Sequence, residues 1–432
     1  MYDSGHCRPQ SRYPGSRGSV RRSLLLALMG LVAGLVAVGI HFWPERYLES
    51  AHAALQRRDY DAARTLLHRY LKARPKSAEA HLLSAQLDRR SNRYDDAAAH
   101  LDACGRCGGP SDAIDLERAL CSVQSGVLNA ESVKRCYDHL NREDADQFLI
   151  LEALSQGFTK TYHLKEAILC LERMLVLEPN NNYALRRRGW IHLQSEQFAQ
   201  AEADYRRAVE VDPSDAVARQ GLAQILLDVR QDFVEAARHY EQLWPAQQDP
   251  TVALGLARSW QLLGRTDDAR QLLDDWLTAH PGDPLILTER GRLALEEDAS
   301  ELAVTLLRRA VALAPYLLEA NNALYHCLNK QGRTAEAEEC MVRIRQAKEN
   351  REQLTVLTRR LQQAPDDADL RCQVAQLFLQ LGQEEEGIRW LQVSLQSHPH
   401  HRPSHLALAD FYDKAGQASL AAQHRRLAET AR

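Results

Sequence analysis

The sequence predicts an all-α solenoid of stacked helical hairpins preceded by one transmembrane helix, and three observations carry that prediction. Alanines at 167, 201, 269, 303 and 337 are separated by 34 residues or a multiple of it, with the missing member one residue late at Ala236. Prolines at 179, 213, 281 and 315 keep the same period, as do the small residues Gly189, Ala223, Ala257 and Gly291, which marks a repeat array. Residues 23–43, SLLLALMGLVAGLVAVGIHFW, contain no Asp, Glu, Lys or Arg. A helix needs about 20 apolar residues to cross ~30 Å of hydrocarbon.

Composition agrees with a packed body. The 432 residues are 45% hydrophobic and 26% charged, values of a folded chain. The net charge of −4 supplies no general basic field, which argues against non-specific nucleic-acid binding.

Taken in order, residues 1–22 form a basic tail, with Arg8, Arg12, Arg17, Arg21 and Arg22 against Asp3. Positive residues before an apolar span favour the cytoplasmic side, and Phe42 and Trp43 suit the far interface. The expectation is a single-pass anchor in a bacterial-type cytoplasmic membrane, with the rest of the chain at its outer face. A cleaved leader would carry a shorter apolar run followed closely by small residues, whereas Ala51-His52-Ala53 lies well beyond the run. VRRSLLLAL also loosely fits a twin-arginine signal, a pattern that any basic flank of an apolar helix produces.

Residues 45–349 are the array. In residues 182–215, small Gly189 and Ala201 let two helices approach, and Phe198, Tyr205 and Ala208 extend the apolar face at helical spacing. Pro213 ends the second helix and Asp215 opens the next. One hairpin has too little core to stand alone, so each must stack on its neighbours. Residues 335–364 lack Pro and Gly and predict an extended helix, making 350–365 a long-helix connection to the last hairpins and solvent cap at 366–432. About eleven hairpins result.

These residues resemble the tetratricopeptide repeat, which asks for a small residue near position 8, Ala at 20, a large residue at 24, Ala at 27 and Pro at 32. The match is clear over 148–349, good at 45–77 and again at 366–399, where Gly387 stands in place of alanine. The resemblance implies a groove lined by the first helices: Gln156, Arg186, Trp190, Arg258, Arg292, Asn322, His326, Asn329 and Lys330. It implies a non-enzymatic scaffold binding extended segments of other proteins, with no cofactor. Amide side chains would satisfy a peptide backbone, and arginines would pair with acidic side chains or a terminal carboxylate. An assembly factor that holds envelope or respiratory clients is the alternative within this class.

A different class is raised by DACGRCGGPSD (102–112), with Cys104 and Cys107 as a CxxC pair. Structural zinc needs four ligands, so Cys121 and Cys136 would have to converge on that pair. Haem attachment needs a histidine where Gly108 stands. A redox pair belongs at a helix start, and this one follows a helix end. Outside the cytoplasm Cys121 with Cys136, or Cys327 with Cys340, are candidate disulfides across one hairpin, while buried free thiols are the alternative. SHPHHRPSH (397–405) holds His398, His400, His401 and His405 as a transition-metal candidate or a solvated turn. No HExxH, GxSxG, GxxxxGK[ST] or GxGxxG motif occurs.

Overall fold

The computed structural model describes residues 45–142 and 147–430, so the basic tail and the apolar segment 23–43 lie outside the described residues. Among the described residues, no helix is long and apolar enough to cross a membrane. All regular structure there is helical, and it falls into two compact units, residues 1–118 and 119–432.

The first unit contains α1 (45–56), α2 (Tyr60–Ala73), α3 (Ala78–Arg90) and α4 (Tyr94–Arg106), and the boundary falls within α5 (Ser111–Ser125). Its core joins Leu48, Ala51, Leu67, Tyr70, Leu83 and Leu87. Arg89 of α3 meets Glu117 of α5 at 2.5 Å in a buried ion pair.

The second unit continues with α6 (Ala130–Leu140), α7 (Gln147–Lys160), α8 (Leu164–Leu177), α9 (Asn182–Gln194), α10 (Phe198–Val211) and α11 (Ala216–Ile225). Then follow α12 (Phe233–Leu243), α13 (Pro250–Leu262), α14 (Thr266–Ala279), α15 (Pro284–Glu296) and α16 (Ser300–Leu313). The last elements are α17 (Leu318–Lys330), α18 (Thr334–Gln363), α19 (Ala368–Gln380), α20 (Glu384–Ser397), α21 (Arg402–Lys414) and α22 (Ala418–Thr430). The 22 described helices pair as eleven hairpins, and the extended helix expected at 335–364 is α18, 30 residues long.

The hairpin starts have a simple chemical cause. Asp215, Asp249 and Asp283, one period apart, are the N-caps of α11, α13 and α15, each accepting backbone N–H groups of the first turn. Pro250 and Pro284 follow at the first helical position, where no donor is lost. Hairpin bends need a left-handed residue. Glycine supplies it at Gly264 (φ 78°) and Gly332 (φ 71°), but Glu196 (φ 57°) and Asp298 (φ 59°) do so against their side chains.

The late Ala236 also has a structural cause. Helix α11 runs into a π turn at Leu226–Arg230, which takes up an extra residue and ends at left-handed Gln231 (φ 56°). The unit's main core surrounds this point, with Tyr205, Leu222, Leu226 and Tyr240 buried together. Farther along, Tyr162 in the α7–α8 turn packs its ring 5.4 Å from that of Trp390 in α20, so the fourth hairpin touches the tenth within this unit.

Candidate functional site

Curvature within the second unit follows from which helices touch. First helices of successive hairpins pack on each other, α11 on α13, α13 on α15 and α15 on α17. Among the described residues, successive second helices show no comparable packing. The first helices therefore line the inner, concave side, and Arg258, Arg292 and His326, one period apart, occupy equivalent places on α13, α15 and α17.

Two adjoining pockets form there. One, of about 380 Å3, includes Asp228, Arg258, Gln261, Glu289 and Arg292 in its walls. The next, of about 410 Å3, includes Leu295, Asn322, Ala323 and His326. Arg292, Glu296 and Glu319 border both, so the pair reads as one interrupted groove.

The arginines there are already engaged. Arg258 Nε donates to Glu289 Oε2 at 3.0 Å, and Arg292 Nη1 donates to the same oxygen at 3.2 Å. Only 1% of the Glu289 side chain is exposed, and its Oε1 has no hydrogen-bond partner. Gln261 Nε2 donates to Glu296 Oε2 at 2.5 Å. Asp228 keeps solvent access, yet surrounding protein mass pushes its carboxyl above the usual range, partly opposed by Arg258. The wall thus offers unneutralised carboxylates where sequence reasoning expects free guanidinium groups.

The other expected groove residues divide by position. Gln156 of α7 accepts from Gln124 Nε2 at 2.7 Å, and Arg186 Nη1 of α9 lies 3.6 Å from the capping carboxylate of Asp215. Trp190 packs against the main core, with Arg187 5.9 Å from its ring centre. Exposed Asn329 stands near the end of α17, and Lys330 pairs with Asp298 at 2.7 Å, facing the neighbouring turn. Asp228, Gln261, Glu289, Glu296 and Glu319 are not among the residues expected to line the groove, although the repeat carries a signal for some of them: Gln261 stands two periods before Asn329 and Glu296 one period before Lys330. Glu289 stands off that register and carries no such signal.

The cysteine pair resolves into packing. Cys104 is buried in the last turn of α4 and Cys107 is the residue that ends the helix. A Cβ at Gly109 would stand 2.3 Å from Cys104 Sγ, so this glycine is needed for the chain to close over the thiol. Burial, then the neighbouring Cys107, raises the Cys104 thiol above its ordinary range, which disfavours the reactive thiolate. Burial likewise raises Cys327 and Cys372, and pushes Cys170 up to about 12. Cys327 Sγ lies 3.5 Å from the Ser300 carbonyl, while Cys340 Sγ accepts from Arg343 Nη2 at 3.6 Å, and both are free thiols here. Cys121 lies on α5 and buried Cys136 on α6.

The histidine run is also dispersed. His401 joins Ser404 (2.7 Å) and Asp369 (3.1 Å), whereas His405 Nδ1 meets His424 Nδ1 at 3.0 Å and its Nε2 reaches the Pro399 carbonyl. His81 repeats this geometry in the first unit, with His100 at 3.1 Å and the Pro75 carbonyl at 3.1 Å. Among the described residues, no group of three or more His, Cys, Asp or Glu is placed to hold a metal ion.

Stacked hairpins with a pocketed inner face define an α-helical repeat protein. Segments 48–107, 154–225 and 230–290 each match a tetratricopeptide-repeat family model, and the chain contains tetratricopeptide repeats. No curated protein matches it. Among solved structures it is similar to the human IFIT1 dimer with PPP-AAAA, at 17% identity over 82% of this chain and 90% of that chain, TM-score 0.36. It is also similar to PilW, a type IV pilus biogenesis factor, at 16% identity over 45% of this chain and 90% of that one, TM-score 0.40. Pseudomonas aeruginosa PilF matches at 17% identity over 57% of this chain and 96% of that one, TM-score 0.35.

Proposed function

We propose that this chain is a non-enzymatic, membrane-anchored scaffold whose first-helix groove holds an extended segment of another protein. Residues 23–43 serve as the anchor in a cytoplasmic membrane, residues 1–22 stay in the cytoplasm, and the repeat array works at the outer face. The anchor reading rests on the uncharged apolar run and the arginines before it.

The observation that carries the binding role is the continuity of the two pockets along α13, α15 and α17, which share Arg292, Glu296 and Glu319. A site of this form suits a chain lying across helices better than a compact small molecule. Packed helices are ~8–10 Å apart, so three of them present roughly 20 Å, or about six residues of extended peptide. Exposed Leu262 offers apolar contact, while Asn322 and Gln261 offer amide groups for a peptide backbone.

Site-specific photo-crosslinking in membranes tests this reading. A crosslinker at Asn322 or His326 should capture protein segments that one at Leu302, exposed on the second helix α16, does not. Equal capture from both faces would remove the groove from the function. Protease added outside intact spheroplasts should degrade the array; protection of the array would overturn the proposed orientation.

A further inference from the structure

The groove's charge balance names the chemistry of the partner it accepts, an inference that rests on the binding role just proposed. Four carboxylates, Asp228, Glu289, Glu296 and Glu319, border the first pocket beside two guanidinium groups, Arg258 and Arg292. Both arginines converge on one oxygen of Glu289, and two guanidinium charges against four carboxylates leave a net excess of two negative charges in the wall. Arg351, reaching across from α18, stands 3.7 Å from Glu319 with most of its side chain in solvent, and screens that carboxylate only weakly.

A second observation points inward. Glu289 is the most buried acid of the group, it lies in the pocket wall, and its Oε1 has no hydrogen-bond partner. A buried charged acceptor left unpaired is costly, and a donor arriving with a ligand would relieve it. The apolar contribution has a matching form. Leu227 and Leu262 line the first pocket and Leu295 and Ala323 the second, beside the acids, a lining that covers a methylene stem while a charged head reaches the carboxylates.

We propose that this groove recognises a lysine or arginine side chain carried by the extended partner segment. The stem lies along Leu262 and Leu295, and the cationic head enters among Asp228, Glu296 and the free Oε1 of Glu289. A carboxylate in the same place would meet surplus negative charge, so acidic side chains are excluded there.

Fluorescence anisotropy on the full detergent-solubilised chain tests the assignment. The probes are three short labelled peptide pools with degenerate flanks and a fixed central lysine, norleucine or glutamate. The lysine pool should bind at least about tenfold more tightly than the glutamate pool, with added salt narrowing the gap. Glu296→Lys, at an exposed position, should abolish or reverse that preference without altering thermal unfolding. Norleucine or glutamate pools binding as well as lysine would overturn the cationic specificity while leaving the groove reading intact. A preference unchanged in both Glu296→Lys and Glu319→Lys would overturn the location. Failure of all three pools to bind would overturn the inference and the binding role together.

Discussion

Glu289 illustrates what one residue does at two levels. Its burial is tolerated because Arg258 and Arg292 both donate to it, and each arginine keeps part of its surface in water. Removing both should leave an uncompensated buried charge, so Arg258→Ala with Arg292→Ala should cost about 3–5 kcal/mol in urea unfolding, and each single variant less. A double-variant loss no larger than about 1 kcal/mol would mean the carboxylate is neutral or hydrated. The same logic explains why charge reversal of these arginines is a poor probe of binding, since it attacks the fold first.

The histidine pairs predict a pH response at the same scale. Burial lowers His100, His239 and His424 below the ordinary histidine value; Asp88 partly offsets it at His100, Arg219 adds to it at His239, and His405 adds to it at His424. The unfolded chain therefore binds more protons than the folded one just below pH ~6.5, and stability falls as pH drops through that value. Urea midpoints should decline between roughly pH 7.5 and 5.5, and His100→Gln with His424→Gln should flatten the decline. A midpoint independent of pH over that interval would contradict the assignment.

At the scale of elements, the turns carry stored strain. Glu196 is exposed in a left-handed conformation that glycine adopts in the equivalent turns at Gly264 and Gly332. Glu196→Gly should therefore be neutral to stabilising, by up to about 1 kcal/mol, despite the greater freedom of glycine in the unfolded chain. A clear destabilisation would show that the turn is held by contacts of the glutamate side chain. Gly387 shows the opposite constraint: an added Cβ would stand 2.6 Å from Leu379 Cδ2 and 3.0 Å from the Ala375 carbonyl, so the departure from alanine in that repeat is a packing requirement. The π turn serves the site as well as the register, because the segment that takes up the extra residue contains Asp228.

Across the second unit, the contact of Tyr162 with Trp390 ties hairpins far apart in the chain. The rings meet edge to face, and His163 Nε2 stands 3.6 Å from Asp366 Oδ2 beside them. A double-mutant cycle with Tyr162→Ala and Trp390→Ala should give a coupling of about 0.5–1.5 kcal/mol. Hydrogen exchange in α19 and α20 should accelerate in Tyr162→Ala. No coupling and no change in exchange would mean that this contact does not support the last hairpins.

The inner face was only partly legible in sequence. The period identifies Arg258, Arg292 and His326 as equivalent residues on successive first helices, and they do border the pockets. The period says nothing of Glu289, which stands elsewhere on its helix and meets Arg258 only after two hairpins stack. Cys104 was ambiguous for a similar reason, since its spacing from Cys107 fits several chemistries and its burial against Gly109 selects one.

The sequence by itself determined the helical hairpins, their approximate number and the helix start at Asp215, because helix periodicity, N-caps and prolines act over a few residues and repeat. It also carries the apolar run at 23–43, whose meaning depends on the lipid and not on packing. Only the tertiary structure decided the charge of the groove, the burial of the thiols and the contact of Tyr162 with Trp390. Those depend on which side chains from different hairpins share one volume, and on how much water remains between them.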